Sequence, residues 1–299
     1  MKSSILTSVL LALLLAAAHA SAQPSPLPPM RTTQVFGQTI RYYDVGAGPT
    51  VVLLHGLGSR AAFDWAPIIA PLAKHHRVLA MDQIGFGDSD KPIIDFSIQT
   101  WVDFLGELLR QQNISHFTLA GESLGGWIAA TYTIQALHPA TNTYPLPAPD
   151  RLILSDAAGH FHPLPADFVN NLCPGSLQAA KESLAHVFYD KSIVTDAMAR
   201  SAFETRLAAH DSFTVRSIIP ISANRAESLD DKLDGITIPT LIFWGQNDEI
   251  VPLADGYDFN KKIPGSKLIV VPECGHAPEI EKPQVYLDAV HTFLNDPKD

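Results

Sequence analysis

Gly121-Glu122-Ser123-Leu124-Gly125-Gly126 follows the apolar run His116-Phe117-Thr118-Leu119-Ala120 and opens the helical pattern that continues from Gly126 to Leu137. A serine at so sharp a strand-to-helix turn needs strained backbone angles, and glycines two positions before and after it remove Cβ atoms that would collide in the bend. The G-x-S-x-G pattern alone is common; its place between a strand and a helix gives it weight. The bland alternative is a turn serine that caps the helix.

Working outward from this turn, Thr50 to Leu54, Arg77 to Met81, Arg151 to Ser155, Pro239 to Trp244 and Lys267 to Val271 are nearly continuous apolar runs. Such runs are buried on both faces, as parallel strands covered by helices are. With helical patterns such as Trp101 to Gln112 between them, the expected fold class is α/β, a mostly parallel sheet with helices on both faces. Residues 23–156 and 239–299 form the expected core. From Ala157 to Ile238 there are helical stretches near 176–189 and 192–209 and no convincing strand, so 157–238 reads as a helical cap inserted over one edge of the sheet.

A serine hydroxyl becomes a useful nucleophile when a base takes its proton and a third group orients that base. Asp248, in Trp244-Gly245-Gln246-Asn247-Asp248, falls just past one strand, and His276, in Cys274-Gly275-His276, past the next. The order Ser123, Asp248, His276 and the placement at strand carboxyl ends fit a catalytic triad. Asp156, also just past a strand, is the rival acid. The expected oxyanion donors are the backbone N–H groups of Leu124 and of Leu57, within His55-Gly56-Leu57-Gly58. His55 is expected to fix that loop rather than move protons.

These segments, together with Asp82-Gln83-Ile84-Gly85-Phe86-Gly87-Asp88-Ser89-Asp90-Lys91-Pro92 and Gly275-His276-Ala277-Pro278-Glu279, resemble the α/β-hydrolase superfamily in order from about residue 35 to 295. The resemblance implies that fold and an acyl-cleaving serine hydrolase. The loop from Asp82 to Pro92 is similar to one shared by haloalkane dehalogenases, epoxide hydrolases and C–C bond hydrolases. The first two groups attack through an aspartate where this chain has Ser123; a serine alkyl ether could not be cleared by water as an acyl-serine can, so dehalogenation and epoxide opening are disfavoured. Three readings follow: first, a serine hydrolase of an ester or related acyl bond; second, a C–C hydrolase of diketone-like substrates or another cofactor-free chemistry of this fold, such as cyanohydrin or perhydrolysis chemistry; third, a ligand-binding protein on a hydrolase scaffold.

Composition narrows the partners. The 299 residues are 46% apolar and carry a formal charge of −10, without a basic run to neutralise phosphates, so nucleic acid is not expected. The partner is a small acyl substrate. No metal or cofactor pattern is present: His160-Phe161-His162 could present two imidazoles on one side of a strand, but no clustered Cys, H-E-x-x-H or carboxylate stands at ligand spacing, and Gly85-Phe86-Gly87 lacks the full dinucleotide fingerprint. Trp65, Phe86, Trp127 and Phe161 fit either a substrate pocket or ordinary packing. Lys2, the apolar run Val9 to Ala18 and the small-x-small sites Ala18-His19-Ala20 and Ala20-Ser21-Ala22 read as a signal peptide over 1–22, the run being about half a membrane span. Secretion or periplasmic export without a lasting span is expected, and Cys173 and Cys274 are expected to be free thiols.

Overall fold

The computed structural model describes residues 27–140, 145–164 and 172–295; the expected signal peptide lies outside the described residues. Strands β1 (Arg31–Val35), β2 (Gln38–Val45), β3 (Thr50–Leu54), β4 (Arg77–Met81), β5 (Phe117–Glu122), β6 (Arg151–Ser155), β7 (Thr240–Gly245) and β8 (Lys267–Val271) form one sheet. Its order is β1-β2-β4-β3-β5-β6-β7-β8. All pairings from β4 to β8 are parallel, and β2 joins β1 and β4 antiparallel.

The β1–β2 hairpin departs from the sequence expectation, which placed no strand before Thr50. Its two-residue turn is Phe36-Gly37, both at positive φ (50° and 76°), the hand that matches the twist of a tight hairpin. The two strands stand at the sheet edge and are half exposed, so they lack the continuous apolar run that marks the interior strands.

Alternation along each inner strand feeds two cores. In β3, Val52 and Leu54 face one cluster, while Val51 and Leu53 face the other. Helices α3 (Ile98–Gln111) and α4 (Leu124–Leu137) cover the first face. Helix α2 (Ala66–Leu72) covers the second, with help from the C-terminal helix; the short α1 (Ala61–Asp64) precedes it. Ser97 starts α3: its Oγ accepts from Thr100 N at 3.3 Å while Thr100 Oγ1 accepts from Ser97 N at 3.2 Å, a reciprocal cap that satisfies two otherwise orphaned donors.

Between β6 and β7 the described residues contain helices α5 (Leu177–Val187), α6 (Asp196–Ala209), α7 (Ser212–Arg216) and α8 (Ile218–Ser222), and no strand. Ser176 and Thr195 cap α5 and α6 through the amides of Ala179 and Met198, each at 3.1 Å. After β7 come α9 (Leu253–Lys262), α10 (Pro278–Glu281) and α11 (Pro283–Leu294). The register then fixes the neighbourhood at one end of the sheet: Leu54 pairs with Gly121, Glu122 with Ser155, and Gly245 with Val271. The loops that carry Leu57, Ser123, Asp156, Asp248 and His276 therefore emerge side by side at the strand carboxyl ends.

Candidate active site

Ser123 joins β5 to α4 with φ 53° and ψ −116°, a conformation that costs a side-chain-bearing residue of the order of 1–3 kcal/mol. The glycines around it are sterically required. A Cβ on Gly121 would collide with the Gly125 carbonyl, and one on Gly125 with the Leu54 carbonyl of the neighbouring strand. The turn is held by Ser123 N donating to Ser155 O at 2.9 Å and by Ser123 O accepting from Trp127 N and Ala158 N.

His276 and Asp248 meet across two loops. His276 Nδ1 lies 2.7 Å from Asp248 Oδ2. Asp248 Oδ1 accepts from Ile250 N at 2.7 Å and Val251 N at 3.0 Å, which locks the carboxylate's orientation and fixes the imidazole proton on Nδ1. Nε2, on the cavity side, lies 3.3 Å from Glu122 Oε1. His276 N is tied to Val187 O at 2.7 Å, so the loop is anchored to the end of α5.

Asp156 stands behind this pair. Its Oδ1 accepts from Gly245 N at 2.8 Å, and burial, then the neighbouring Asp248 charge, push its carboxyl well above the usual carboxylate range. Its other oxygen, Oδ2, is buried with no hydrogen-bond partner among the described residues, so the neutral acid is the form favoured beside Asp248. The sequence left two candidate acids; the geometry puts Asp248 on the imidazole and Asp156 behind it. The ligand atoms of Asp156, Asp248 and His276 lie within 4.8 Å of one another, the one such grouping among the described residues, but the Nδ1 to Oδ2 hydrogen bond already occupies the histidine's inner nitrogen.

Leu57 and Leu124 present the backbone N–H groups expected for an oxyanion. Neither amide has an acceptor among the described residues, and Leu124 begins α4, whose first amides point out of the helix with the positive end of its dipole. His55 is fully buried, with Nδ1 against Gly56 O at 2.8 Å and Nε2 accepting from Gln83 N at 3.0 Å. It ties the Leu57 loop to the Asp82–Pro92 loop. There Asp82 accepts from Ala61 N and Asp88 N.

Three carboxyls beneath this loop were not legible beforehand. Asp64 Oδ2 accepts from Gly56 N at 2.8 Å. Glu122, next to the serine, is buried against Asp64, and its Oε1 lies 3.3 Å from His276 Nε2. Burial, then the Asp64 charge, raise the Glu122 carboxyl well above its ordinary value; burial does the same to Glu279, where no hydrogen-bond partner meets either carboxyl oxygen among the described residues. A carboxyl at the x position of G-x-S-x-G was the available signal.

Ser123, His276 and the Leu57 loop line a cavity of about 650 Å³ closed by the inserted helices. Its outer wall includes Leu184, Met198, Ile218 and Ile250. Of the four aromatics, Trp65 and Phe86 are core residues. Trp127 lines the cavity, its Nε1 donating to Glu227 O at 3.1 Å, and Phe161 carries the Arg225 guanidinium 4.1 Å above its ring. The stretch around His160 is a loop, not a strand. There His160 sits between Asp230 (2.6 Å) and Asp258 (3.1 Å), and His162 against Asp255 (2.9 Å); the two imidazoles take separate partners rather than converging. Cys173 and Cys274 are unpaired, and burial pushes the Cys274 thiol up.

A family model described as alpha/beta hydrolase fold matches residues 49–283. The 2-hydroxy-6-oxo-2,4-heptadienoate hydrolase of Pseudomonas putida is 30% identical over 263 residues, 84% of this chain and 91% of that protein. The 2-hydroxy-6-oxo-6-(2'-aminophenyl)hexa-2,4-dienoic acid hydrolase of Metapseudomonas resinovorans is 28% identical over 270 residues, covering 87% and 88%. Among solved structures, a meta-cleavage product hydrolase from Pseudomonas fluorescens IP01 superposes with a TM-score of 0.78 at 27% identity, over 89% of this chain and 97% of its own. With its glycine-flanked serine directly after β5 and its sheet of this order, the chain belongs to the α/β-hydrolase fold family.

Proposed function

We propose that the protein is a serine hydrolase that cleaves the carbon–carbon bond beside a ketone, in an acid of the 2-hydroxy-6-oxo-dienoate kind, through an acyl-enzyme on Ser123. The observation that carries the reading is one cavity in which Ser123, a His276 oriented by Asp248 and two acceptor-free amides share a wall. The relatives named for such substrates align over most of their own lengths.

In this mechanism the 2-hydroxy dienoate first takes its 2-oxo form, with a proton on C5, so that C5 is tetrahedral. Ser123 Oγ bonds to the C6 ketone carbon as its proton passes to His276 Nε2, and the oxyanion is held by Leu57 and Leu124 N–H. Collapse breaks the C5–C6 bond; its electron pair enters the conjugated 2-oxo-enoate as a dienolate, which takes the proton from His276. Water, deprotonated by His276, then splits the acyl-serine and releases a carboxylic acid. Asp248 holds the tautomer throughout.

Ester hydrolysis is the second reading, favoured by the aliphatic wall of Leu184, Met198, Ile218 and Ile250, which suits a plain acyl chain. The same residues would act, with an alkoxide leaving in place of the dienolate. Turnover of 2-hydroxy-6-oxo-2,4-heptadienoate and of p-nitrophenyl acetate and hexanoate on one preparation separates the two. A kcat/KM about a hundredfold higher on the dienoate supports C–C cleavage, the reverse makes the protein an esterase, and tight binding without turnover supports a binding protein.

The protein is exported, its residues 1–22 removed. Lys2, the apolar run Val9 to Ala18 and the small-x-small sites support this reading. Intact mass of the protein recovered from its native host tests it; a full-length mass overturns it.

A further inference from the structure

Two arginines line the cavity, and they differ in what surrounds them. Arg206, on α6, is neutralised: its Nη1 donates to Asp211 at 2.7 Å and its Nη2 to Gly58 O at 2.6 Å. Arg60, which precedes α1 on the Leu57 loop, makes one side-chain hydrogen bond, a long one of 3.3 Å from Nη2 to Thr205 Oγ1 on α6. No carboxylate stands within 4.0 Å of its guanidinium among the described residues. Asp82 and Asp88 share its neighbourhood, since both act with Arg60 on the Tyr43 phenol, but neither pairs with Arg60: the Asp82 carboxylate instead accepts from the loop amides Ala61 N and Asp88 N.

The other charged groups on the cavity wall are accounted for. Asp211 answers Arg206, Asp255 answers His162, and burial keeps Glu122 and Glu279 protonated beyond the usual carboxylate range. Asp64 is turned into the loop, accepting from Gly56 N and Ser59 Oγ. A partly buried guanidinium without a counter-ion, facing a cavity with an apolar wall, is a site for an anion, and its planar fork matches a carboxylate.

We propose that Arg60, with the Thr205 hydroxyl opposite it, receives a carboxylate at the end of the substrate remote from the reacting carbonyl. This rests on the hydrolase reading and deepens it: the substrate class becomes acyl compounds that carry a carboxylate along the chain, be the scissile bond C–C or ester. Arg60 is a specificity residue here. It joins the core loop to α6, so a bound carboxylate would also bridge the two sides of the cavity.

The test compares mono-p-nitrophenyl adipate, anionic, with p-nitrophenyl hexanoate, neutral and of equal chain length, on wild type, Arg60→Met and Arg60→Lys. The ratio of kcat/KM for the anionic over the neutral ester is expected to fall about tenfold or more in Arg60→Met, chiefly through KM, and to recover in part in Arg60→Lys. A ratio within twofold of wild type overturns the proposal. Calorimetric titration of Ser123→Ala with adipic acid monoamide and with hexanamide keeps the two readings apart. Preferential binding of the monoamide, lost in Ser123→Ala/Arg60→Met, supports the carboxylate site even if neither ester turns over, and equal binding of the two amides overturns it.

Discussion

Glu122 Oε1 lies 3.3 Å from His276 Nε2, so the residue before the serine touches the nitrogen that must exchange protons with it. Because Asp248 fixes the Nδ1 proton, Nε2 is an acceptor at rest. A protonated Glu122 is then a compatible neighbour, and an ionised one would hold the imidazolium formed during turnover. Burial, then the Asp64 charge, raise the Glu122 carboxyl, which favours the first state.

Glu122→Gln is expected to flatten part of the pH dependence of stability. Burial, then Asp64, raise the Glu122 carboxyl in the folded chain above its unfolded value of 4.5. Between those two values the unfolded chain has released a proton that the folded chain keeps, so stability falls as pH rises through this window. The neutral amide removes the effect. Melting temperatures of both proteins near pH 5 and near pH 8.5 check it: the variant's advantage should be larger at the higher pH, and an equal offset at both would show that Glu122 ionises normally.

Asp248→Asn and Asp156→Asn should separate the two acids. Of these two acids it is Asp248 that touches the imidazole, at Nδ1, so its amide would present a donor to Nδ1 and favour the wrong tautomer, with a loss in kcat of about 10⁴. For Asp156, an amide copies the neutral acid: its oxygen still accepts from Gly245 N and it adds no charge beside Asp248. A loss below about tenfold is expected. Steady-state rates on the better substrate decide, and comparable losses in both variants would give Asp156 a share in the chemistry.

The interior strands are readable because of what covers them. Val51 to Leu54 is apolar at every position since helices lie on both faces, and the same holds for Leu152 to Leu154. Arg31 to Val45 escapes that reading because an edge hairpin alternates between packed and solvated faces, and its turn, Phe36-Gly37, departs from the usual Asn-Gly signal. In the site, Ser123, Asp248 and His276 are legible from their order and their places after strands. Of the buried carboxyls, Glu122 alone has a local signal, its place beside the serine; Asp64 and Glu279 have none, since the three meet only when β3 pairs with β5 and α10 packs nearby. Arg60 is silent for the opposite reason: its meaning lies in the missing partner, which only the packed structure reveals.

The strain at the serine predicts an inequality between two inactive variants. With φ at 53° and ψ at −116°, Ser123→Ala keeps the Cβ in an unfavourable region, while Ser123→Gly relieves it at a smaller entropic cost in the unfolded state. Chemical denaturation should find the glycine variant more stable than the alanine variant by about 1 kcal/mol. Equal stability would mean that the turn carries no strain. Ser123→Ala should also lose the covalent adduct with a fluorophosphonate that the wild type forms at Ser123.

Arg206, held by Asp211, ties the inserted helices to the Leu57 loop through the Gly58 carbonyl. Asp211 is 2% exposed, and Arg206 bonds both to it and to the Gly58 carbonyl. Arg206→Met would leave a buried carboxylate without its hydrogen-bonded counter-ion, Lys91 being a more distant charge, and free the loop that carries an oxyanion donor. Breaking a buried pair on one side costs about 3 kcal/mol. Arg206→Met/Asp211→Leu should recover much of that, because the uncompensated charge goes with the arginine, yet the bond to Gly58 stays lost in both. Stability should therefore return in the double variant while kcat does not, since a loosened Leu57 amide aims less well at the oxyanion. Denaturation midpoints and kcat on the same samples test the split; recovery of both together would mean that the pair, rather than the strap on Gly58, is what the site requires.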